Sequence, residues 1–238
     1  NTVDKGTVNI KKTDAQNTTA QGDASLAGIK FAIVNDSDGI VKVDGVEHTK
    51  GKVVAIIETD TNGNASKPGL PYGSYSVYEL RADTAVTVGS VYSSAGKGSS
   101  VYANNAGYLF KAQNDSFTIE KDGDTKTINF SDEPVKGGVK IEKWDAELNR
   151  KESQGQADFS GIKFEITNKS AAAVYVNGTK YAVGAVIANS TLTTNAAGDA
   201  SLAAVLPYGT YEIKEVSTNG SYRLTDGTAR TFTIRENG

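Results

Sequence analysis

A chain of 238 residues is long enough for two ordinary domains, each burying its own core. The net charge of −3, with no basic stripe carrying interleaved aromatics, argues against nucleic acid or an anionic membrane as partner. The absence of Cys excludes disulfides, thiol catalysis and Cys-ligated metals, and no apolar run approaches the length needed to insert in a bilayer. The chain opens at Asn1 without a Met or a signal peptide, so a fragment of a longer protein is expected.

Short runs of alternating apolar and polar residues predict strands throughout. Residues 6–14 (GTVNIKKTD) open the series, followed by 26–33 (LAGIKFAI), a turn at Asn62-Gly63 and 70–80 (LPYGSYSVYEL). A stretch around 84–106, rich in Ser, Gly, Tyr, Asn and Val, then intervenes before 117–119 (FTI) and 127–133 (TINFSDE). The same order then returns. Residues 137–145 read GGVKIEKWD, 159–166 FSGIKFEI, 206–216 LPYGTYEIKEV and 232–234 FTI. Four blocks recurring in one order predict two copies of one domain, over 1–135 and 136–238. The expected fold class is all-β, an antiparallel sandwich in each copy.

Successive side chains of a strand point to opposite faces, so phase identifies the inward residues. Val8 and Ile10 share a face with Lys12, and Val139 and Ile141 share one with Lys143. Tyr75 and Val77 are in phase with Glu79, as Tyr211 and Ile213 are with Glu215. Ile128 and Phe130 are in phase with Asp132. If the apolar residues face the core, so do a Lys and a Glu in each copy and an Asp in the first. Burying any one of these charges alone costs several kcal/mol. The bland alternative places each Lys at a strand end, its head reaching water beside the Glu. Repetition in both copies favours chemistry.

These blocks resemble the Cna B-type domains of Gram-positive surface adhesins and pilins. The matching patterns are G-x-V-x-I-x-K-x-D, L-x-G-x-K-F, T-D-x-x-G, L-P-Y-G-x-Y-x-V-x-E and F-T-I, and they cover nearly the whole chain. The resemblance implies two tandem inverse immunoglobulin-like (prealbumin-like) sandwiches set end to end. It also implies an autocatalytic isopeptide bond between a first-strand Lys and a last-strand Asn or Asp, assisted by a Glu. Lys12 matches the amine, Glu79 the catalytic proton shuttle and Asp132 the acceptor, where the family more often has Asn. In the second copy Lys143 and Glu215 match, but too few residues follow 232–234 for the last strand. Lys143 is therefore expected to be unpaired, and Asn237 is out of phase as an acceptor.

The chemistry suits an apolar interior, which favours the neutral forms of amine and acid. Two carboxyls placed together share a proton, so Glu79 can polarise Asp132 and pass a proton to the departing water. The reaction is a single turnover of the protein on itself, with no cofactor and no metal, and the chain is not expected to be an enzyme. His48 is the one His and is read as a bland loop residue, and Trp144 as a residue of the core edge or the domain junction. The insertion is read as a hairpin with Val86, Val88 and Val91 partly buried, or as a ligand surface that includes Tyr92 and Tyr102.

The expected function is a structural stalk or adhesin segment, extracellular and wall-anchored through a part outside this sequence. Its partners would be neighbouring domains, pilus subunits or a host ligand, and the missing strand of the second domain. The alternatives are a ligand-binding module working through the insertion and an accessory domain of a secreted carbohydrate-active enzyme.

Overall fold

Alternation of buried and exposed residues sets the architecture of both units. The computed structural model describes residues 1–93 and 105–238. The chain divides into one unit of Asn1–Ala20 with Ser25–Glu133 and a second of Gln21–Ala24 with Pro134–Gly238. Among the described residues, the elements are strands apart from a 3-10 turn at Ala188–Ser190.

The first unit contains β1 (Lys5–Asp14), β2 (Lys30–Asn35), β3 (Val41–Val43), β4 (Val46–His48) and β5 (Val53–Glu58). It continues with β6 (Asn64–Pro71), β7 (Gly73–Glu79), β8 (Asn114–Ile119) and β9 (Thr125–Asp132). One sheet has the order β6-β1-β9, another β5-β2-β7-β8, and β3-β4 is a separate hairpin. Val8, Ile10, Phe31, Ile33, Val77, Ile119, Ile128 and Phe130 fill the core. Each such side chain contributes about 1.5–3 kcal/mol by leaving water. β1 pairs antiparallel with β6 but parallel with β9, in register from Thr7 opposite Thr125 to Asp14 opposite Asp132. The first and last strands of the unit therefore run side by side in the same direction.

The second unit contains β10 (Lys136–Glu142), β11 (Lys163–Asn168), β12 (Val174–Val176), β13 (Thr179–Tyr181), β14 (Leu192–Thr193), β15 (Asp199–Pro207), β16 (Gly209–Ser217) and β17 (Arg230–Ile234). Its four-stranded sheet, β14-β11-β16-β17, mirrors that of the first unit, but the facing sheet is only the pair β10-β15. One corner is built identically in both. Tyr75 Oη donates to Pro71 O at 2.7 Å, and Tyr211 Oη to Pro207 O at 2.6 Å. Their rings stack on Phe117 and Phe232. The L-P-Y-G-x-Y and F-T-I blocks recur because they make this corner.

Three local expectations need correction. His48 is buried in β4, its two ring nitrogens without hydrogen-bond partners among the described residues, and burial pushes its pKa down against the opposing charge of Asp44. Trp144 is 51% exposed, so it is not a core-edge residue. Within the insertion, Val86 packs on the cluster of Ala32, Val34, Val53 and Leu80, whereas Val88 and Val91 are exposed. Residues 84–93 form no strand, only a bridge between Val91 and Lys52. Tyr102 and the rest of the proposed hairpin at 94–104 lie outside the described residues.

Candidate functional site

The alternating pattern of β1 buries Val8, Ile10, Lys12 and Asp14 in one row. Lys12 is fully buried, as is the side chain of Glu79, which follows Tyr75 and Val77 on β7. Asp132 ends the row of Ile128 and Phe130 on β9, and its side chain is buried too. Lys12 and Asp132 come from one sheet and Glu79 from the other, so the three meet inside the sandwich. Lys12 Nζ lies 2.6 Å from Glu79 Oε2 and 2.8 Å from Asp132 Oδ1. The register places Phe31 opposite Glu79 and Phe130 opposite Lys12, and those two rings pack at 4.9 Å. The structure thus brings all three sequence-predicted residues of the first copy together behind an aromatic wall.

Two carboxyls face one ammonium, and the charges cannot all be satisfied as anions. Burial first, and the neighbouring Asp132 second, push the Glu79 carboxyl up to about 8, against the pull of Lys12. Glu79 Oε1 and Asp132 Oδ2 have no donor among the described residues. A single proton shared by the two carboxyls would remove that repulsion.

A fourth residue, absent from the sequence reading, completes the cluster. Gln113 Nε2 donates to Glu79 Oε2 at 2.7 Å and to Asp132 Oδ1 at 3.0 Å, with Ser131 O at 3.3 Å. Gln113 O in turn accepts from the Glu79 backbone N–H at 3.2 Å, which fixes the two residues opposite each other. A cavity of about 370 Å³, lined in part by Tyr78, Arg81, Tyr92 and Phe110, reaches Glu79 and Gln113 from outside.

The backbone around each Lys is held by the repeated blocks. Lys12 N donates to Gly63 O at 2.7 Å, and Lys143 N to Gly198 O at 2.8 Å. Both glycines have positive φ, and a Cβ on either would stand within 3 Å of that Lys carbonyl oxygen. No other residue fits these turns without strain. Asp14 Oδ1 accepts from the N–H groups of Gln16 and Asn17 while Tyr108 Oη donates to Oδ2 at 3.0 Å. Asp145 repeats this with Glu147, Leu148 and Tyr222. The Asp of K-x-D thus anchors the chain just beyond each Lys, with Tyr108 and Tyr222 as the equivalent donors in the two units.

The second unit brings together two of the three groups. Lys143 Nζ lies 2.7 Å from Glu215 Oε2, with side-chain exposures of 26% and 7%, and Glu215 Oε1 has no partner. β10 pairs with β15 on one edge only, and Val139 and Ile141 remain half-buried where Val8 and Ile10 are covered. Asn237 does not approach Lys143: its Oδ1 accepts from Lys136 N at the start of β10. Asp122 occupies the same position relative to Lys5 in the first unit. Among the described residues no group of His, Asp and Glu is arranged to hold a metal ion.

A family model described as the SpaA prealbumin-like fold domain matches residues 6–90 and 144–238. Among solved structures, the Bacillus anthracis TIE protein is 25% identical, with a TM-score of 0.53, over 99% of this chain and 33% of its own. This chain therefore spans about a third of the length of that relative. A streptococcal ancillary pilin is 20% identical over 98% of this chain and 59% of its own, with a TM-score of 0.36. The major pilin subunit of Bacillus cereus is 13% identical over 98% of this chain and 93% of its own, with a TM-score of 0.30. No curated protein sequence matches significantly.

Proposed function

The chain belongs to the SpaA prealbumin-like domain family, and from that premise we propose that it is a stalk segment of a Gram-positive surface protein whose first domain locks itself with a Lys12–Asp132 amide. The observation that carries this reading is the buried amine 2.8 Å from one carboxyl and 2.6 Å from a second. A plain structural ion cluster would need only one acid for one base.

The reaction balances within the cluster. Lys12 passes a proton to Glu79, and the neutral nitrogen attacks Cγ of the protonated Asp132. The Nζ–Cγ bond forms as the carbonyl electron pair moves onto oxygen. Glu79 delivers a proton to the Asp132 hydroxyl, the Cγ–O bond breaks, and water leaves. Glu79 then takes the surplus proton from nitrogen, leaving an amide and a neutral Glu79. Pre-formed geometry replaces an external catalyst.

The parallel pairing of β1 with β9 gives the bond its mechanical meaning. Tension entering at Lys5 runs along β1 to Lys12, crosses the amide and leaves past Asp132. Everything between those two residues lies outside the force path. In single-molecule pulling from residues 1 and 133, the first domain is expected to show no unfolding extension. Lys12→Ala should release roughly 40 nm, the contour of the freed loop at about 3.5 Å per residue. Full extension of the wild-type domain would contradict the proposal.

The second domain supports a related reading. Lys143, Glu215 and the free edge of β10 form the receptor for a parallel strand carrying an in-phase Asp or Asn, as β9 does for β1. A synthetic peptide of residues 125–133 is expected to form a denaturation-resistant adduct with the chain, lost in Lys143→Ala and Glu215→Ala. An adduct that forms equally in Glu215→Ala, or none, would remove this role from the second site.

A further inference from the structure

We propose that Gln113 is the oxyanion donor of the self-linking reaction, selecting which oxygen of Asp132 becomes the amide oxygen and which departs as water. This rests on the linking reaction proposed above. The two oxygens of Asp132 are not equivalent. Oδ1 accepts from Gln113 Nε2 at 3.0 Å, while Oδ2 has no donor among the described residues. Three oxygens surround the end of Gln113, those of Glu79, Ser131 and Asp132, so only its NH₂ end fits there. The amide is neutral and cannot take a proton from Lys12, which leaves it one role: holding negative charge.

The charge develops at Oδ1. When Nζ bonds to Cγ, the carbonyl electron pair moves onto Oδ1 and the Gln113 N–H already points at it. When the pair returns, the Cγ–Oδ2 bond breaks, and Oδ2 leaves as water with its own proton and one from Glu79. The same N–H then donates to the amide oxygen of the product. Gln113 also lines the adjoining cavity together with Glu79, whereas the Asp132 side chain stays fully buried behind it.

The second unit provides an internal contrast. Continuing the β16–β17 register from Ile213 opposite Arg230 places Thr228 opposite Glu215, where Gln113 stands opposite Glu79. Thr228 is exposed, and nothing in that unit replaces the Gln113 donor at Glu215. Lys and Glu are thus repeated without the Gln.

The test follows linking in time. The full chain is made by cell-free synthesis, quenched into denaturant at intervals, and weighed intact to score loss of one water. Gln113→Leu, similar in size but without a donor, is expected to link about a hundredfold more slowly than wild type. Gln113→Glu should recover rate as pH is lowered, because only its protonated form donates, whereas the Leu variant should not. Melting of Lys12→Ala with and without Gln113→Leu measures any effect on folding in a chain that cannot link, and rates are compared only after that correction. A Leu variant that links at the wild-type rate overturns the role of Gln113. A wild type that never loses water overturns the linking reaction itself.

Discussion

Lys12→Ala is expected to lower the melting temperature of the first domain by about 15–25 °C. The proposed Lys12–Asp132 amide would join β1 to β9 and close nearly the whole unit into a loop. By the chain-entropy treatment of disulfides, a loop of that size stabilises by about 5 kcal/mol through the unfolded state. For a unit of this length each kcal/mol moves the midpoint by a few degrees. The substitution leaves Glu79 and Asp132 able to share a proton beside Gln113, so the remaining acids need not be buried as two anions. Lys143→Ala, which removes a partly exposed ion pair in the other unit, should leave this transition where it is. Calorimetry of the three proteins checks the result. A Lys12→Ala transition within a few degrees of wild type would mean that no covalent closure is lost.

Glu79→Ala is expected to slow linking by about 10²–10⁴-fold, the usual range for a positioned acid–base group. Both carboxyl oxygens are placed for this: Oε2 faces the amine, and Oε1, with no partner among the described residues, can carry a proton. The pH dependence follows from the same geometry. Burial and Asp132 raise Glu79 above the ordinary carboxyl range to about 8, so the shared proton is present at neutral pH. It is lost as pH rises through that value, leaving two adjacent anions and a poorer leaving group. Linking in the wild-type chain should therefore be fast at neutral pH and slow progressively above about pH 8. A rate that climbs steadily with pH would mean that deprotonation of Lys12 alone controls the reaction.

Much of this site could be read from the sequence because strands impose a period of two. Once Val8 and Ile10 are placed inside, Lys12 follows, and the same logic delivers Glu79 and Asp132 from β7 and β9. Gln113 was invisible to that reasoning. It precedes β8, outside any alternating run, and its role depends on the register that sets it against Glu79. The clamps at Asp14 and Asp145 were present as recurring letters, but their partners Tyr108 and Tyr222 lie far along the chain. His48 was misjudged because a three-residue strand carries too little pattern to reveal which way its last side chain points. The short pairs β3–β4 and β12–β13 escaped for the same reason, although Asn177 and Gly178, both at positive φ, form the turn between β12 and β13.

The intact mass of the purified chain, read under denaturing conditions, tests the central claim most directly. The wild-type protein should weigh one water less than its sequence, with the loss mapping by peptide fragmentation to a branched species joining Lys12 to Asp132. Glu79→Ala, collected soon after synthesis, should carry the full sequence mass. A wild-type chain at full sequence mass, with Lys12 and Asp132 recovered in separate linear peptides, would contradict the account.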